Sequence, residues 1–390
     1  MVGLPRIWRQ VKSGLVSLCV LVTLTLGFGV VTHFQEVQQL VKTYTLLRFQ
    51  ALEPINTDKL MEGAIRGMVD ALDDPYSTYL DANTYRHLQE SVSGSYGGVG
   101  LLITLDEKDK RLMVVSPFKG TPAQRAGIKS RDYIIAIDGR DTTGMDLETA
   151  ANLMQGQPGT KVELTILSAG ETNPRKVTLT REIIKVPTVD GKILPGHPSI
   201  GYISLTMFNE QTAGDLGRQL DELRRQGMQK LVLDLRNNPG GALPAAVDVA
   251  SYFVAEGPVV YIADQKNTEA LMARGYAKPL PLAVLVNKGS ASAAEIVAGA
   301  IKDTGSGTLV GETTFGKGIV QTIFPLPGGA AVKITTHKYL TPGKHDINKK
   351  GITPDYVVPM DPQLEQQVLA HAPDLERDVQ LQKALEVLEK

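Results

Sequence analysis

Cysteine is almost absent from this 390-residue sequence, which contains only Cys19. A single cysteine excludes an internal disulfide, a Cys-x-x-Cys redox site and a zinc site built from thiolates. Histidine is also scarce, with six residues, and no His-Glu-x-x-His motif is present. The composition therefore argues against a metal centre.

The sequence also lacks an excess of charge of either sign, since it contains 41 Lys and Arg residues and 42 Asp and Glu residues. A dedicated nucleic-acid-binding protein needs a basic face, so we expect no nucleic-acid partner. Apolar residues make up 42% of the chain, which is enough to form hydrophobic cores. The length fits two or three domains with additional terminal segments.

One long apolar run lies near the start of the chain. Arg6, Arg9 and Lys12 precede an uncharged segment from Ser13 to Thr32. This order is typical of an export signal, and a helix of ~20 apolar residues spans a bilayer core. Because no A-x-A cleavage site follows, we favour a membrane anchor within residues 1–33 over a cleaved signal, which would leave a secreted protein. The positive-inside rule places the rest of the chain outside the cytoplasm.

The rest of the sequence changes character three times. Residues 34–93 have apolar side chains at helical spacing, which predicts helices used for packing or dimerisation. Residues 94–183 alternate short strand patterns with Gly and Pro turns and predict a small β-barrel with two helices. Residues 184–361 repeat strand, loop and helix, which predicts a mostly parallel α/β sheet, and residues 362–390 predict a helical tail.

Three loops of the α/β segment contain candidate chemical groups at strand ends. The first, R-N-N-P-G-G, follows the apolar strand L-V-L-D-L, and its glycines expose backbone N–H groups that can stabilise an oxyanion. The second, G-S-A-S-A-A-E, opens a helix. The third, G-E-T-T-F-G-K-G-I-V-Q, places Lys317 between two glycines. Taken singly, the first and third are most often a turn and a surface lysine.

The serine turn has two interpretations. A serine at a helix N-terminus lies in a positive field that favours a nucleophilic alkoxide. Ser292-x-x-Glu295 also fits a capping box, and Ser290 is a competing cap. On the local sequence alone, the cap interpretation is slightly favoured.

Together, these segments resemble the C-terminal processing peptidases, the S41-type serine proteases with a Ser/Lys dyad and a PDZ domain. The motifs, which follow the family's order from about Phe34 to the tail, are D-D-P-Y-S-T-Y, G-Y-I-S-L, L-D-L-R-N-N-P-G-G, G-S-A-S-A-A-E, G-E-T-T-F-G-K-G-I-V-Q and Y-L-T-P-G…K-G-I-T-P-D. The resemblance implies a ClpP/crotonase-like α/β catalytic core, an inserted PDZ domain and helical N- and C-terminal segments. It implies no metal and no other cofactor.

The resemblance also assigns roles to residues. Ser292 is the implied nucleophile, and Lys317, 25 positions later, is the implied general base. Gln321 is the residue that positions the lysine. The amides implied for the oxyanion hole belong to Gly240 or Gly241, together with Ala293.

A lysine acts as a base only when it has lost its proton, and its ordinary pKa of about 10.4 makes it a poor base at neutrality. We expect burial beside Phe315 and Ile319, without a carboxylate neighbour, to lower the pKa of Lys317.

The 94–183 segment is similar to a PDZ domain, whose Y-G-G-V-G-L loop is implied to hold the C-terminal carboxylate of a substrate through backbone N–H groups. The residues of this loop are Tyr96, Gly97, Gly98, Val99, Gly100 and Leu101. The partners expected for the chain are protein substrates with free C-termini, the membrane, a second copy of the chain and an adaptor protein.

The expected function is a serine endopeptidase that processes or degrades exported proteins from their C-terminal region. The expected compartment is extracytoplasmic: a periplasm, a cell envelope or a thylakoid-lumen-like space. One alternative is a non-catalytic PDZ scaffold, which would need none of Ser292, Lys317 and Gln321. A second is a Ser/His/Asp hydrolase using His337 or His345, which the missing G-x-S-x-G elbow disfavours.

Overall fold

The protein is described from a computed structural model that covers residues 34–106, 110–168, 170–370 and 373–389. The chain divides into two compact units, one ending at Tyr79 and one from Leu80 to Lys390. The anchor predicted within residues 1–33 lies outside the described residues. None of the described helices has the length and the apolar character that a bilayer crossing requires.

The N-terminal unit contains two helices, α1 (Phe34–Gln50) and α2 (Thr57–Asp70). The side chain of Asn56 starts α2 by accepting hydrogen bonds from the N–H groups of the first helical turn. Val69 is the only buried hydrophobic residue among the described residues of this unit, whereas large apolar side chains such as Leu52 and Met68 are exposed. The predicted amphipathic helices are present, and their apolar faces are largely uncovered in the single chain.

The chain continues through β1 (Thr78–Leu80) and α3 (Ala82–Ser93) into a small β domain. This domain contains β2 (Ser95–Gly98), β3 (Leu101–Leu105), β4 (Leu112–Pro117), α4 (Pro122–Arg125), β5 (Tyr133–Ile137), β6 (Arg140–Asp141), α5 (Leu147–Met154), β7 (Lys161–Leu167), β8 (Arg175–Thr180) and β9 (Glu182–Lys185). Strands β2 and β9 pair with each other at the two ends of the segment. The antiparallel sheet between them has the order β3-β4-β5-β7-β8, with β6 beside β5.

The small domain has its own hydrophobic core, which includes Leu112, Ile137 and Leu164. A separate core means that the domain does not depend on the α/β segment to bury its apolar side chains. The predicted β-rich segment with two helices is therefore present. Its bounds at residues 94 and 183 remain a prediction.

The α/β core is built on a six-stranded sheet of order β10-β11-β12-β15-β16-β19. Its strands are β10 (Val189–Leu194), β11 (His197–Leu205), β12 (Lys230–Asp234), β15 (Leu282–Val286), β16 (Thr308–Gly311) and β19 (Tyr356–Val357). All neighbouring pairs are parallel except β10 with β11. The prediction of a mostly parallel sheet is confirmed.

Helices cover both faces of this sheet, which is why nearly all residues of its central strands β12, β15 and β16 are buried. The core on one face includes residues of α6 (Thr212–Arg225), α7 (Leu243–Ala250) and α8 (Ala293–Asp303). The core on the other face includes residues of α10 (Val379–Glu389). The helix α9 (Pro362–Ala370) connects the sheet to this tail. The C-terminal segment thus packs against the parallel sheet and shares its core.

A second sheet in this part of the chain is antiparallel. It contains β13 (Pro258–Ala263), β14 (Thr268–Met272), β17 (Ile319–Pro325) and β18 (Ala331–Leu340). In this sheet β18 pairs with both β13 and β17, and β14 pairs with β13. The sheet matters for function because β17 directly follows the loop that contains Lys317.

Candidate active site

The three loops singled out in the sequence follow β12, β15 and β16, which are neighbours in the parallel sheet. Their carboxyl ends meet at one edge, where α/β proteins place their sites. A cavity of about 470 Å³ lies at this edge. The predicted residues that line it are Gly240, Gly241, Ser292, Ala293, Lys317 and Gln321. The fold therefore brings all six predicted catalytic-site residues together.

Ser292 directly precedes α8 and has a strained backbone, with φ 55° and ψ −114°. A non-glycine residue adopts a positive φ only when its surroundings enforce it, and such strain clusters at functional sites. The turn is held by two contacts: Ser292 N–H donates to Glu295 Oε2 (2.9 Å), and Ser292 O accepts from the Tyr339 hydroxyl (3.1 Å). The capping box is thus present at a residue that also lines the cavity, so the two interpretations of Ser292 are compatible.

Ser290, the competing serine, has a different environment. It is fully buried, and its hydroxyl donates to Leu235 O (2.8 Å) and accepts from Asn287 N–H (3.0 Å). It does not line the cavity. Ser290 holds the β12 and β15 loops together, and its hydroxyl is not available for attack.

Glu295 is the most important residue of the site that the sequence analysis did not place there. Its carboxylate is fully buried and accepts four hydrogen bonds. The donors are Ser292 N–H, Thr314 Oγ1, Gly316 N–H and Lys317 N–H. Glu295 therefore joins the turn of the nucleophile to the loop of the lysine. The capping-box spacing was the available signal, but it does not reveal the three contacts with the β16 loop.

Lys317 is half-buried, and its Nζ donates to Gln321 Oε1 at 3.2 Å. Burial is the main cause that lowers the pKa of Lys317, and the nearby ammonium group of Lys333 lowers it further. The carboxylate of Glu295 opposes both by raising the pKa. The expectation that Lys317 has no carboxylate neighbour is therefore wrong, although the net shift of its pKa is downward as expected.

Phe315, which we expected beside the lysine, is 56% exposed and does not line the cavity. Apolar contact comes from the strand that follows, where Ile319 is buried and lines the cavity. The Phe315 N–H donates to Ser290 O at 3.0 Å, which ties the β16 loop to the serine turn.

Gln321 lies on β17, where the register against β18 shifts: Val320 lies opposite His337, and Gln321 lies opposite Thr335. The extra residue is Thr336 of β18. The Gln321 side chain lies in the cavity, where its amide oxygen accepts from Lys317 Nζ.

The glycine loop after β12 packs directly against the serine turn. A Cβ atom on Gly240 would lie 2.8 Å from Ser292 Cβ and 2.9 Å from Ala293 N, so only glycine fits there. Gly240 N–H donates to Asn238 Oδ1 (2.9 Å) and is engaged within its own loop. Ala293 is the first residue of α8, where an N–H group has no intrahelical acceptor.

A buried ionic network supports this loop from behind. The Arg236 guanidinium group contacts Asp234 (2.6 Å) and Asp378 (2.8 Å), and all three residues are buried. The Tyr202 hydroxyl donates to Asp234 at 2.6 Å. Asp378 belongs to the C-terminal segment, so the tail is tied to the residue that starts the glycine loop. The sequence analysis missed this network.

Only some residues of the PDZ-like loop, Tyr96 to Leu101, line a common cleft. A cleft of about 40 Å³ between β3 and α5 is lined by four of its six residues, Tyr96, Val99, Gly100 and Leu101. Gly97 and Gly98 lie instead in β2, where they pair with β9. The oxygens of Val99 and Gly100 accept from Ala123 N–H and Phe118 N–H, so this turn is held by α4 and the residues before it.

The two histidines of the alternative hydrolase lie away from the cavity. His337 Nδ1 contacts Thr336 Oγ1 on β18 at 2.8 Å, and His345 lies 3.6 Å from Asp303 on a loop. Neither lines the cavity that contains Ser292. Within the described ranges, no three His, Cys, Asp or Glu side chains are grouped closely enough to hold a metal ion.

Comparison with known proteins gives matches along most of the chain. The family model for peptidase family S41 matches residues 199–358, the PDZ domain model matches 113–168, and the model for the N-terminal domain of the activating protease CtpB matches 28–84. The carboxyl-terminal-processing protease of Synechocystis sp. is 42% identical over 330 residues, covering 83% of this chain and 76% of the relative. The carboxy-terminal processing protease CtpA of Bacillus subtilis is 40% identical over 319 residues, covering 81% and 67%.

A solved structure supports the fold. The putative S41 protease from Bacteroides fragilis superposes with a TM-score of 0.55 at 17% identity, covering 89% of this chain and 96% of that one. At that identity the likeness concerns the fold alone, and membership rests on the two sequence relatives. With a Ser/Lys cavity at the edge of an S41-type sheet and relatives of 40% identity or more, this chain belongs to peptidase family S41, as a carboxyl-terminal-processing serine protease with a PDZ domain.

Proposed function

We propose that this protease cleaves exported proteins near their C-termini, with Ser292 as the nucleophile and Lys317 as the general base. The observation that carries the proposal is the position of both side chains in one cavity, although they come from different loops. Glu295 supports the pairing because it binds the backbone N–H of both residues.

In the first step, neutral Lys317 Nζ takes the proton of the Ser292 hydroxyl while Oγ attacks the scissile carbonyl carbon. A new C–O bond forms, and the carbonyl electron pair moves to its oxygen. The lowered pKa of Lys317 increases the fraction of neutral amine available at a given pH. The four donors to Glu295 spread the charge of this carboxylate, which limits how strongly it holds the proton on the lysine.

The oxyanion is stabilised by backbone amides at the start of α8, where Ala293 N–H and the positive helix end lie. Of the two glycine amides, Gly240 can contribute only after leaving Asn238 Oδ1, so Gly241 is the better partner in the resting geometry. When the tetrahedral species collapses, the C–N bond breaks and the Lys317 ammonium gives its proton to the leaving amine. Water then hydrolyses the acyl-enzyme with the same lysine as base.

Gln321 acts as a positioning residue. Its amide oxygen accepts from Lys317 Nζ, which restricts the rotation of a long, flexible side chain. A lysine held in one orientation loses less entropy when it takes the serine proton.

The PDZ domain is proposed to recognise the C-terminus of the substrate. Support comes from β3, which lies at the edge of its sheet and can accept an added strand beside α5. The cleft of about 40 Å³ is narrow, so we expect β3 and α5 to move apart when a peptide terminus binds.

The location and the partners are proposed from the N-terminal region. Arg6, Arg9 and Lys12 before the apolar run to Thr32 support export, with the catalytic domain outside the cytoplasm and the run as a membrane anchor. The uncovered apolar faces of α1 and α2 support a second copy of the chain as partner. An adaptor protein remains a prediction from the family resemblance.

Active-site labelling tests the proposed catalytic pair. A fluorophosphonate probe should label the wild-type protein, and Ser292→Ala and Lys317→Ala should remove the labelling. Ser290→Ala and His337→Ala are the matched controls and should keep it, provided that circular dichroism shows them folded. Labelling that survives in Ser292→Ala would disprove the assignment, and binding of C-terminal peptides without any labelling would favour the PDZ scaffold.

A further inference from the structure

A second lysine lies in the catalytic cavity. Lys333 is on β18, directly opposite Ile323 of β17, and its half-buried side chain lines the cavity together with Ser292 and Lys317. Across the described ranges, the Lys333 side chain makes no hydrogen bond and no ion pair, whereas its backbone belongs to the β17–β18 ladder. An ammonium group with no internal counter-ion therefore faces the place where the substrate must bind.

The rest of the cavity wall provides no negative charge. Lys317 and Lys333 are the only charged residues among those that line it. Most of the others are apolar, and they include Phe208, Leu243 and Ile296. Two cations in one cleft create a positive potential there, which attracts an anionic group of a bound polypeptide.

Glu295 cannot act as the counter-ion of Lys333, and Lys317 cannot be the group that binds an anion of the substrate. The two Glu295 oxygens are occupied by four donors from the Ser292 turn and the β16 loop. Lys317 must be neutral to act as a base, so it cannot remain paired with an anion during attack. Lys333 carries no such requirement, and its ammonium group offers three hydrogen-bond donors.

We propose that Lys333 binds a carboxylate of the substrate polypeptide inside the catalytic cavity. The inference rests on the proposed function of Ser292 and Lys317 and adds a recognition element to it. The carboxylate has two possible sources: the C-terminus of a substrate cut close to its end, or an Asp or Glu side chain beside the scissile bond. In both cases an N⁺–H···O⁻ bond fixes the peptide in the cleft.

The experiment uses the full chain and two pairs of fluorogenic peptides with a common scissile sequence. One pair differs only in a free or amidated C-terminus, and the other differs only in a Glu or Gln next to the scissile bond. The kcat/KM ratio of each carboxylate peptide to its neutral twin is measured at one pH for wild type, Lys333→Met, Lys333→Arg and Lys338→Met. Lys338 is an exposed lysine on the same strand, paired with Asp346, and is the matched control.

We expect wild type and Lys338→Met to favour the carboxylate peptide of one pair by roughly tenfold, mainly through KM. The pair whose preference is lost in Lys333→Met identifies the source of the carboxylate that Lys333 binds. In Lys333→Met the ratio should fall to about one, and Lys333→Arg should keep most of it because the charge remains. Any change that Lys333→Met causes at Lys317 affects both twins equally and cancels in the ratio.

A wild-type ratio near one for both pairs, or a ratio that Lys333→Met leaves unchanged, would overturn the inference. The PDZ cleft is also proposed to bind free C-termini. Because Lys333→Met leaves that cleft intact, a preference that comes from the PDZ domain survives the substitution. Failure of the proposed function is seen separately, because it would appear as cleavage of the neutral twins by Ser292→Ala.

Discussion

The catalytic cavity and the PDZ cleft are both built from a glycine-containing loop beside a helix, yet they are held in opposite ways. Around the cavity, Glu295 accepts four hydrogen bonds and Arg236 contacts two buried carboxylates. In the PDZ cleft, Gln155 Oε1 is buried without a hydrogen-bond partner in the described part of the chain. The cavity measures about 470 Å³ and the cleft about 40 Å³.

This difference indicates that the catalytic cavity is rigid, whereas the PDZ cleft changes shape when a peptide binds. Buried polar groups that are fully satisfied fix the geometry in which catalysis occurs. In the PDZ cleft no group of the described residues binds the Gln155 amide oxygen, so an N–H group or a water that enters the cleft can bind it and favour opening.

The largest effect is expected at the catalytic lysine. Lys317→Arg should lower kcat/KM as much as Lys317→Ala, by roughly 10²–10⁴-fold, because arginine stays protonated and cannot act as a base. Steady-state cleavage of a fluorogenic peptide measures this loss, with Lys338→Arg as the control for the substitution itself. Substantial activity in Lys317→Arg would place the base elsewhere.

The next largest effect is expected at the C-terminal segment. Asp378→Ala leaves the Arg236 guanidinium buried with one carboxylate instead of two, and should lower the free energy of unfolding by about 3 kcal/mol. Because Arg236 starts the glycine loop, kcat should fall with KM little changed. Urea unfolding and peptide kinetics measure the two effects.

The control for Asp378 is Glu386→Gln, which removes an exposed ion pair with Lys383 on the same tail. Such surface pairs contribute about 0–1 kcal/mol, so this variant should unfold close to wild type. Equal stability of both variants would show that the tail does not support the loop.

The smallest effect is expected in the PDZ cleft. Gln155→Met replaces the unpartnered amide with an apolar side chain of similar length, and should stabilise the protein by about 1 kcal/mol. The closed cleft then becomes harder to open, so a C-terminal peptide should bind a few-fold more weakly by fluorescence polarisation. Lower stability together with tighter binding would mean that Gln155 already has a partner and that the cleft is open at rest.

The sequence predicts the fold and the main site residues because their signals are local. Apolar strands such as L-V-L-D-L end in glycine-containing loops, and parallel strands bring those loops to one edge. The contact of Arg236 with Asp378 joins residues 142 positions apart and has no local signal. The exposure of Phe315 and the position of Lys333 in the cavity likewise depend on how β17 and β18 pair, which composition does not reveal.

The pH dependence of kcat/KM tests the central claim, that a buried lysine activates Ser292, most directly. Activity should be low when Lys317 is protonated and should rise with increasing pH through a single ionisation below the ordinary lysine value of about 10.4, because burial and Lys333 lower this pKa. In Lys333→Met the rise should move to higher pH, whereas Lys338→Met should leave it in place. A profile that is unchanged in Lys333→Met and lost in His337→Ala would contradict the account.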